Sequence, residues 1–112
     1  MREDIDELCG LEPINGEWIE RLRRSLSRAI RLDRLILFGS RAAGEHTCWS
    51  DYDLCVVSES FIGMKPWERM ELVLSHWEGE RALEPICYTP EELERLDDHS
   101  LVREIKEKGL IL

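Results

Sequence analysis

Two stretches, LILFGSRAAG at residues 35–44 and SDYDLCVV at residues 50–57, decide the fold of this chain. The first begins with an apolar run that stops at Gly39, a pattern typical of a buried strand that ends in a turn. The second contains residues 52–57, for which we predict another strand. Two strands separated by a glycine turn and a short connection predict a small sheet as the centre of the fold.

Asp51 and Asp53 stand at alternate positions of the second stretch. Side chains of a strand alternate between its two faces, so these carboxylates are expected to point the same way. At about 4 Å and an effective dielectric of about 20, their repulsion would cost about 4 kcal/mol. A hard divalent cation such as Mg²⁺ removes that cost, because it binds carboxylates together with substrate phosphates. The pattern therefore predicts a metal-phosphate site.

The turn at Gly39 and Ser40 supplies the phosphate-binding half of this prediction. Glycine lets the backbone approach a ligand closely, and a helix beginning near Arg41 would favour an anion at its N-terminus. The Ser40 hydroxyl and the Arg41 guanidinium add further donors. The chain contains neither Gly-x-x-x-x-Gly-Lys-Ser/Thr nor Gly-x-Gly-x-x-Gly, so the two commonest nucleotide cradles are excluded.

Gly39-Ser40, followed after ten residues by Asp51-Tyr-Asp53, resembles the signature of the polymerase-beta-like nucleotidyltransferase superfamily. The longer stretches at residues 38–44 and 49–54 most resemble those of its minimal nucleotidyltransferases. These are short single domains often found as the antitoxin of a HEPN-type toxin. The resemblance implies an α/β (α+β) fold with a small mixed sheet of about three to four strands flanked by helices. It also implies a single domain over residues 1–112.

The resemblance further implies a third carboxylate on the next strand, and Glu84 holds that position, four residues before Tyr88. Two Mg²⁺ ions, or Mn²⁺, would then be held by Asp51, Asp53 and Glu84, with ATP phosphates on Gly39, Ser40 and Arg41. Two positions depart from the family pattern, and the first is Glu84 itself, where an aspartate is more usual. Pro85 follows Glu84, which predicts a lost ladder hydrogen bond and an edge or strand-end position. Ala43 stands where many relatives carry a second arginine.

Composition is compatible with one small domain of 112 residues, 43% of them hydrophobic. The sequence contains no run of about 18 apolar residues, so we predict no membrane span. The acidic first residues do not look like a secretion signal. The four cysteines show no zinc-ligand spacing, and Cys55 and Cys87 fall in predicted strands. A reduced, cytoplasmic protein is the expectation.

The formal net charge of −9 makes nucleic acid an unlikely partner, because tight binding to its backbone requires Lys and Arg. Six arginines are interleaved with the apolar positions of one predicted helix. We predict that they form a solvated face or a protein-docking surface rather than an RNA site. They are Arg21, Arg23, Arg24, Arg28, Arg31 and Arg34.

Periodicity and capping signals place the remaining elements. We predict that a helix at 66–77 buries Met70, Val73, Leu74 and Trp77. Trp49 is expected either to stack on a base or to pack its loop. The predicted elements are a helical segment around Ile5, Leu8 and Leu11, a helix at 16–32 capped by Asn15, a turn or short helix at 42–45, a helix at 66–77, a strand at 82–88, a helix at 90–96, and a last helix capped by Ser100 and ended by Gly109.

Two classes of function remain open. The chain is either an enzyme that moves AMP from ATP to a hydroxyl, plausibly a tyrosine of a HEPN-type toxin, or a non-catalytic antitoxin that binds its partner with the same fold. The adjacent acids favour the enzyme, whereas Glu84-Pro85 and Ala43 favour the module. Transfer to a small molecule is a further alternative, and a homo-oligomer or a hetero-complex is compatible with either class.

Overall fold

A computed structural model describes residues 14–44, 51–96 and 99–112 of the chain. Two predictions concern residues outside these ranges. They are the helical segment around Ile5, Leu8 and Leu11 and the role of Trp49. The elements in chain order are α1 (Gly16–Ala29), β1 (Arg34–Phe38), α2 (Gly39–Ala43), β2 (Tyr52–Val57), a 3₁₀ turn (Glu59–Phe61), α3 (Pro66–Leu74), β3 (Leu83–Tyr88), α4 (Pro90–Arg95), α5 (Ser100–Lys108) and β4 (Leu110–Ile111).

The centre of the fold is a mixed four-stranded sheet in the order β3-β2-β1-β4. Strand β1 is antiparallel to both β2 and β4, whereas β2 and β3 are parallel. The end of β1 at Phe38 therefore lies beside the beginning of β2, where Phe38 is the register partner of Asp53. This confirms the predicted fold class and brings the glycine turn to the end of the sheet at which β2 and β3 begin.

Each face of the sheet has its own hydrophobic core, because alternate strand residues point to opposite faces. On one face, strand residues including Leu37, Leu54 and Val56 pack with Leu22 and Leu26 of α1. On the other face, the strand residues between them, Ile36, Phe38, Cys55 and Val57, pack against Leu93 of α4 and against Val102 and Ile105 of α5. The second face also carries Asp53 at its end.

Helix α1 begins where the sequence predicted, because the Asn15 Oδ1 accepts hydrogen bonds from the backbone N–H groups of Glu17 and Trp18, both at 3.1 Å. The helix ends at Ala29, three residues earlier than predicted. Ile30 is already extended, and the N–H of Asp33 donates to the carbonyl of Val57 at 2.9 Å. Pairing with β2 thus requires an extended chain before β1 begins.

Helix α3 presents a different face to the core from the one predicted. Val73 is buried and Trp77 is half-buried, but Met70 and Leu74 are exposed, and Arg69 is buried in their place. Burial of Arg69 is possible because its guanidinium donates to the Glu92 carboxylate and to the carbonyl of Cys87. The helix also stops at Leu74 rather than at Trp77.

Strand β3 lies at an edge of the sheet, as Pro85 predicted, but the expected loss of a ladder hydrogen bond is wrong. The carbonyls of Ala82 and Tyr88 accept hydrogen bonds from the β2 side. Because alternate residues direct their backbone groups to the same side, the missing N–H of Pro85 faces away from β2. The proline therefore costs the sheet nothing.

At the C-terminal end, Gly109 ends α5 as predicted, whereas Ser100 is the first helical residue and His99 takes the cap position. The following Leu110 and Ile111 add a short strand beside β1 that was not among the predicted elements. Cys55 and Cys87 are free and buried, and burial raises the pKa of each thiol to about 12. No helix among the described residues is long and apolar enough to cross a membrane.

Candidate active site at the sheet end

Gly39 lies directly against the carboxylate of Asp53. Its φ of +75° belongs to the left-handed region, and a Cβ at this position would stand 2.3 Å from Asp53 Oδ2. Both properties require glycine, because any larger residue would be strained and would displace the carboxylate. The close approach joins the end of β1 to the acidic end of β2, the two parts of the predicted metal-phosphate site.

Asp53 and Glu84 are register partners on the parallel strands β2 and β3. Partial burial raises the pKa of Asp53 to about 6, and a hydrogen bond with the Glu84 side chain supports the rise. The negative charges of Glu84, Asp51 and Glu104 add to it. Two neighbouring carboxyl groups repel each other less when one of them holds a proton, so the pair favours the protonated form of Asp53.

Asp51 lies exposed at the residue before β2, and its charge acts on Asp53. Within residues 14–44, 51–96 and 99–112, no group of three or more His, Cys, Asp or Glu side chains is arranged to hold a metal ion. The structure therefore brings Asp53 and Glu84 together without assembling all three predicted ligands. The donor chemistry nevertheless fits a hard divalent cation, because a cation can replace the proton that two adjoining carboxyls share.

Ser40 and Arg41 belong to the short helix α2, which starts at Gly39, earlier than the sequence suggested. Ser40 directly follows Gly39 and is half-buried. Arg41 is only 1% exposed, and its guanidinium lies 4.1 Å from the centre of the Tyr52 ring. Because Tyr52 and Asp53 point to opposite faces of β2, the Arg41 guanidinium packs on the face of the sheet opposite the Asp53 carboxylate. A contact between Arg41 and phosphate stays a prediction.

An aromatic cluster fixes Tyr52, the residue between the two aspartates. Its ring contacts those of Trp18 and Trp77 at centroid distances of 5.9 and 5.5 Å. Its Oη accepts a hydrogen bond of 2.9 Å from the backbone N–H of Asn15. Sequence reasoning missed this support, and it also missed Glu104, since only the packing of α5 brings that charge near Asp53.

The arginine row behaves mainly as a solvated surface. Arg21 pairs with Glu17 at 2.6 Å, and Arg23 and Arg24 both lie within 4 Å of Glu20. Arg31 and Arg34 lie beyond the end of α1, so the six arginines do not share one helix. Partial neutralisation by neighbouring acids makes this row a poor match for a phosphate backbone.

Comparison with known proteins places this geometry in a family. One solved structure with a similar fold is a "putative nucleotidyltransferase" from Sulfolobus solfataricus, with a TM-score of 0.62, 20% identity, and coverage of 85% of this chain and 76% of that one. No protein with a curated description matches the chain. The family model for the nucleotidyltransferase domain matches residues 19–112, which include both motifs, Glu84 and all four strands. The chain therefore belongs to the nucleotidyltransferase domain family.

Proposed function

We propose that this protein transfers AMP from ATP to a hydroxyl group of a partner protein in the presence of Mg²⁺. The observation that supports it most is the Asp53–Glu84 pair beside the Gly39 turn. Membership of the nucleotidyltransferase domain family supports nucleotidyl transfer, and such domains generally use divalent metal ions. The choices of ATP, Mg²⁺ and a protein acceptor rest on the sequence resemblance to minimal nucleotidyltransferases.

The same resemblance supports a more specific proposal for the partner. The acceptor would be a tyrosine of a HEPN-type toxin, and its modification would silence that toxin. This assignment agrees with the acidic charge of the chain and with the paired arginines of α1, both of which disfavour a nucleic-acid acceptor.

The reaction needs one bond to form and one to break. The acceptor oxygen attacks the α-phosphorus of ATP, a phosphodiester bond to AMP forms, and the bond to the leaving pyrophosphate breaks. The acceptor proton passes to the Asp53–Glu84 pair, and we assign Glu84 as its base because it is the more exposed of the two. Gly39 lets the backbone approach the phosphates, and the Ser40 hydroxyl can donate to them.

A bound divalent metal would be held by Asp53 and Glu84 and joined by Asp51. It would neutralise charge on the phosphates and lower the pKa of the acceptor hydroxyl. The carboxylates of the chain position that charge, and Asp53 must release its proton before it can act as a ligand.

Calorimetry of ATP binding with Mg²⁺ tests the nucleotide site, and transfer of label from α-labelled ATP to a co-expressed partner tests the reaction. Asp53→Asn should lose metal-dependent binding and labelling, whereas Glu94→Gln, an exposed acid on α4, should leave both unchanged. Wild-type protein that binds no nucleoside triphosphate with either Mg²⁺ or Mn²⁺ would refute the enzymatic proposal.

A second candidate is a non-catalytic protein-binding module. It is favoured by the burial of Arg41 against Tyr52. Asp53→Asn separates the two candidates, because a module would still neutralise its partner with that substitution. Transfer to a small molecule would instead give a labelled product that is not protein.

A further inference from the structure

A groove follows the open edge of the sheet along β3. It has a volume of about 750 Å³ and lies between α3 and α4. This volume is within the range of about 300–1,000 Å³ that is usual for binding sites. Most of its described lining is apolar and includes Met64, Met70, Ile86 and Leu96.

The groove begins beside the candidate active site. Pro85, the residue after Glu84, lines it, and its lining continues along β3 to Tyr88. A strand rises about 3.3 Å per residue, so a ligand atom beside Tyr88 would be roughly 13 Å from one beside Glu84. An extended polypeptide spans that distance with about four residues. One segment can therefore reach the carboxylate pair and fill the groove.

The edge of β3 is closed to simple strand addition. Pro85 has no N–H to offer on the outward side, and the outward carbonyl of Cys87 already accepts from Arg69 Nη1 at 3.2 Å. A segment in the groove would be recognised through its side chains and not by extending the sheet. An apolar side chain matches the lining that Met64, Met70 and Ile86 provide.

The charges of the groove differ from those of the whole chain. The molecule has a formal net charge of −9, but the lining contains Lys65, Arg69 and Arg95 against the single acid Glu92. Arg69 and Glu92 neutralise each other in a two-point ion pair with distances of 2.6 and 3.2 Å. The remaining charges of the described lining are the cations Lys65 and Arg95. Arg95 also pairs with Glu91 at 3.3 Å, but an exposed ion pair of this kind is weak, so both cations favour an acidic side chain next to the apolar one.

We propose that this edge groove binds the segment of the acceptor polypeptide next to the modified hydroxyl, with an apolar side chain in the groove and an acidic side chain at Lys65 and Arg95. The proposal rests on the proposed function, because it assigns the substrate class of the same site. It predicts that the apolar residue lies about three to four residues from the modified tyrosine.

The probes are short tyrosine peptides in which a leucine stands four residues before or after the tyrosine, with an adjacent aspartate. Matched peptides carry alanine for leucine, or lysine for aspartate. With α-labelled ATP and Mg²⁺, the leucine-aspartate peptide should have a kcat/KM about tenfold above its alanine counterpart, mainly through KM.

Two pairs of variants make the test specific to the groove. Met70→Glu should raise the peptide KM about tenfold, whereas Leu74→Glu should not, although the side chains are one turn apart on α3 and 40% and 41% exposed. Arg95→Glu should remove the preference for aspartate. Arg24→Glu should keep the preference, because Arg24 lies on α1 and does not line the groove. It is a matched control for Arg95, since the two side chains have nearly the same exposure and each has an i,i+4 acid partner.

Each outcome has a definite meaning. Wild-type protein that binds ATP with Mg²⁺ but labels all peptides equally, or labels none, would overturn the groove assignment and leave the nucleotide site standing. Absence of ATP binding would instead overturn the proposed function. If Met70→Glu weakens ATP binding itself, the groove belongs to the nucleotide. If Met70→Glu changes only the oligomeric state, the groove binds a second copy of the chain.

Discussion

Asp53 and Glu84 are register partners on adjacent parallel strands, and the Glu84 carboxyl group helps to raise the pKa of Asp53. Gly39 closes the same corner from the neighbouring strand, close enough that its missing side chain makes room for the Asp53 carboxylate. The candidate site therefore lies where three neighbouring strands meet, and the bare backbone of Gly39 after β1 leaves room for the carboxyl groups of β2 and β3.

Gly39→Ala should destabilise the protein by about 2–4 kcal/mol, because it combines left-handed strain with a contact of 2.3 Å to Asp53 Oδ2. Gly44→Ala is the matched control, since Gly44 has a φ of +76° and no atom within 4 Å of a Cβ. It should cost only the backbone strain of about 1–2 kcal/mol. Equal losses in urea unfolding would show that Asp53 does not press on Gly39.

Asp53 should make the metal-free protein less stable as the pH rises from about 4 to about 6. Its pKa is 3.8 in the unfolded reference and about 6 in the fold, so the folded chain binds more protons in this interval. The stabilisation is complete below the lower pKa and is lost through the upper one. Because the group is only partly buried, we expect a change of only about 1 kcal/mol.

Urea unfolding of the wild type and of Asp53→Asn between pH 4 and pH 7 measures this effect. The difference in unfolding free energy between the two proteins should shift in favour of Asp53→Asn as the pH rises. A difference that stays constant across this range would contradict the raised pKa of Asp53.

Divalent metal binding should weaken in acid, because the ion competes with the proton of Asp53. One competing proton with a pKa of about 6 predicts about tenfold weaker Mn²⁺ binding at pH 5 than at pH 7.5. Titration of the nucleotide-free protein measures the affinity, and Glu94→Gln serves as the control, with the same pH dependence as the wild type. Equal wild-type affinities at the two pH values would exclude Asp53 as a ligand.

Arg41 and Tyr52 should be energetically coupled, because the buried guanidinium lies on the tyrosine ring. In a cycle of Arg41→Leu, Tyr52→Leu and the double variant, we expect a coupling free energy of about 1–2 kcal/mol. Tyr52→Phe keeps the ring but loses the bond from the Asn15 N–H, and it should retain most of the coupling. Additive losses in unfolding free energy would mean that the ring does not hold Arg41.

Local sequence determined the parts of this protein whose geometry depends on near neighbours. Asn15 predicted the start of α1, the stop at Gly39 predicted the end of β1, and Pro85 predicted an edge strand. These signals were sufficient because a cap, a left-handed turn and a missing N–H act within a few residues. The fold was predicted from the resemblance of the two motifs to those of the nucleotidyltransferase superfamily.

Tertiary structure alone decided how those parts combine. Periodicity could not tell that α3 buries Arg69 and exposes Met70, because the ion pair with Glu92 comes from another helix. It could not place Arg41 on Tyr52, add β4 beside β1, or bring Glu104 towards Asp53. Burial, charge and edge pairing between distant segments set these relationships, and a single stretch of sequence contains only one side of each.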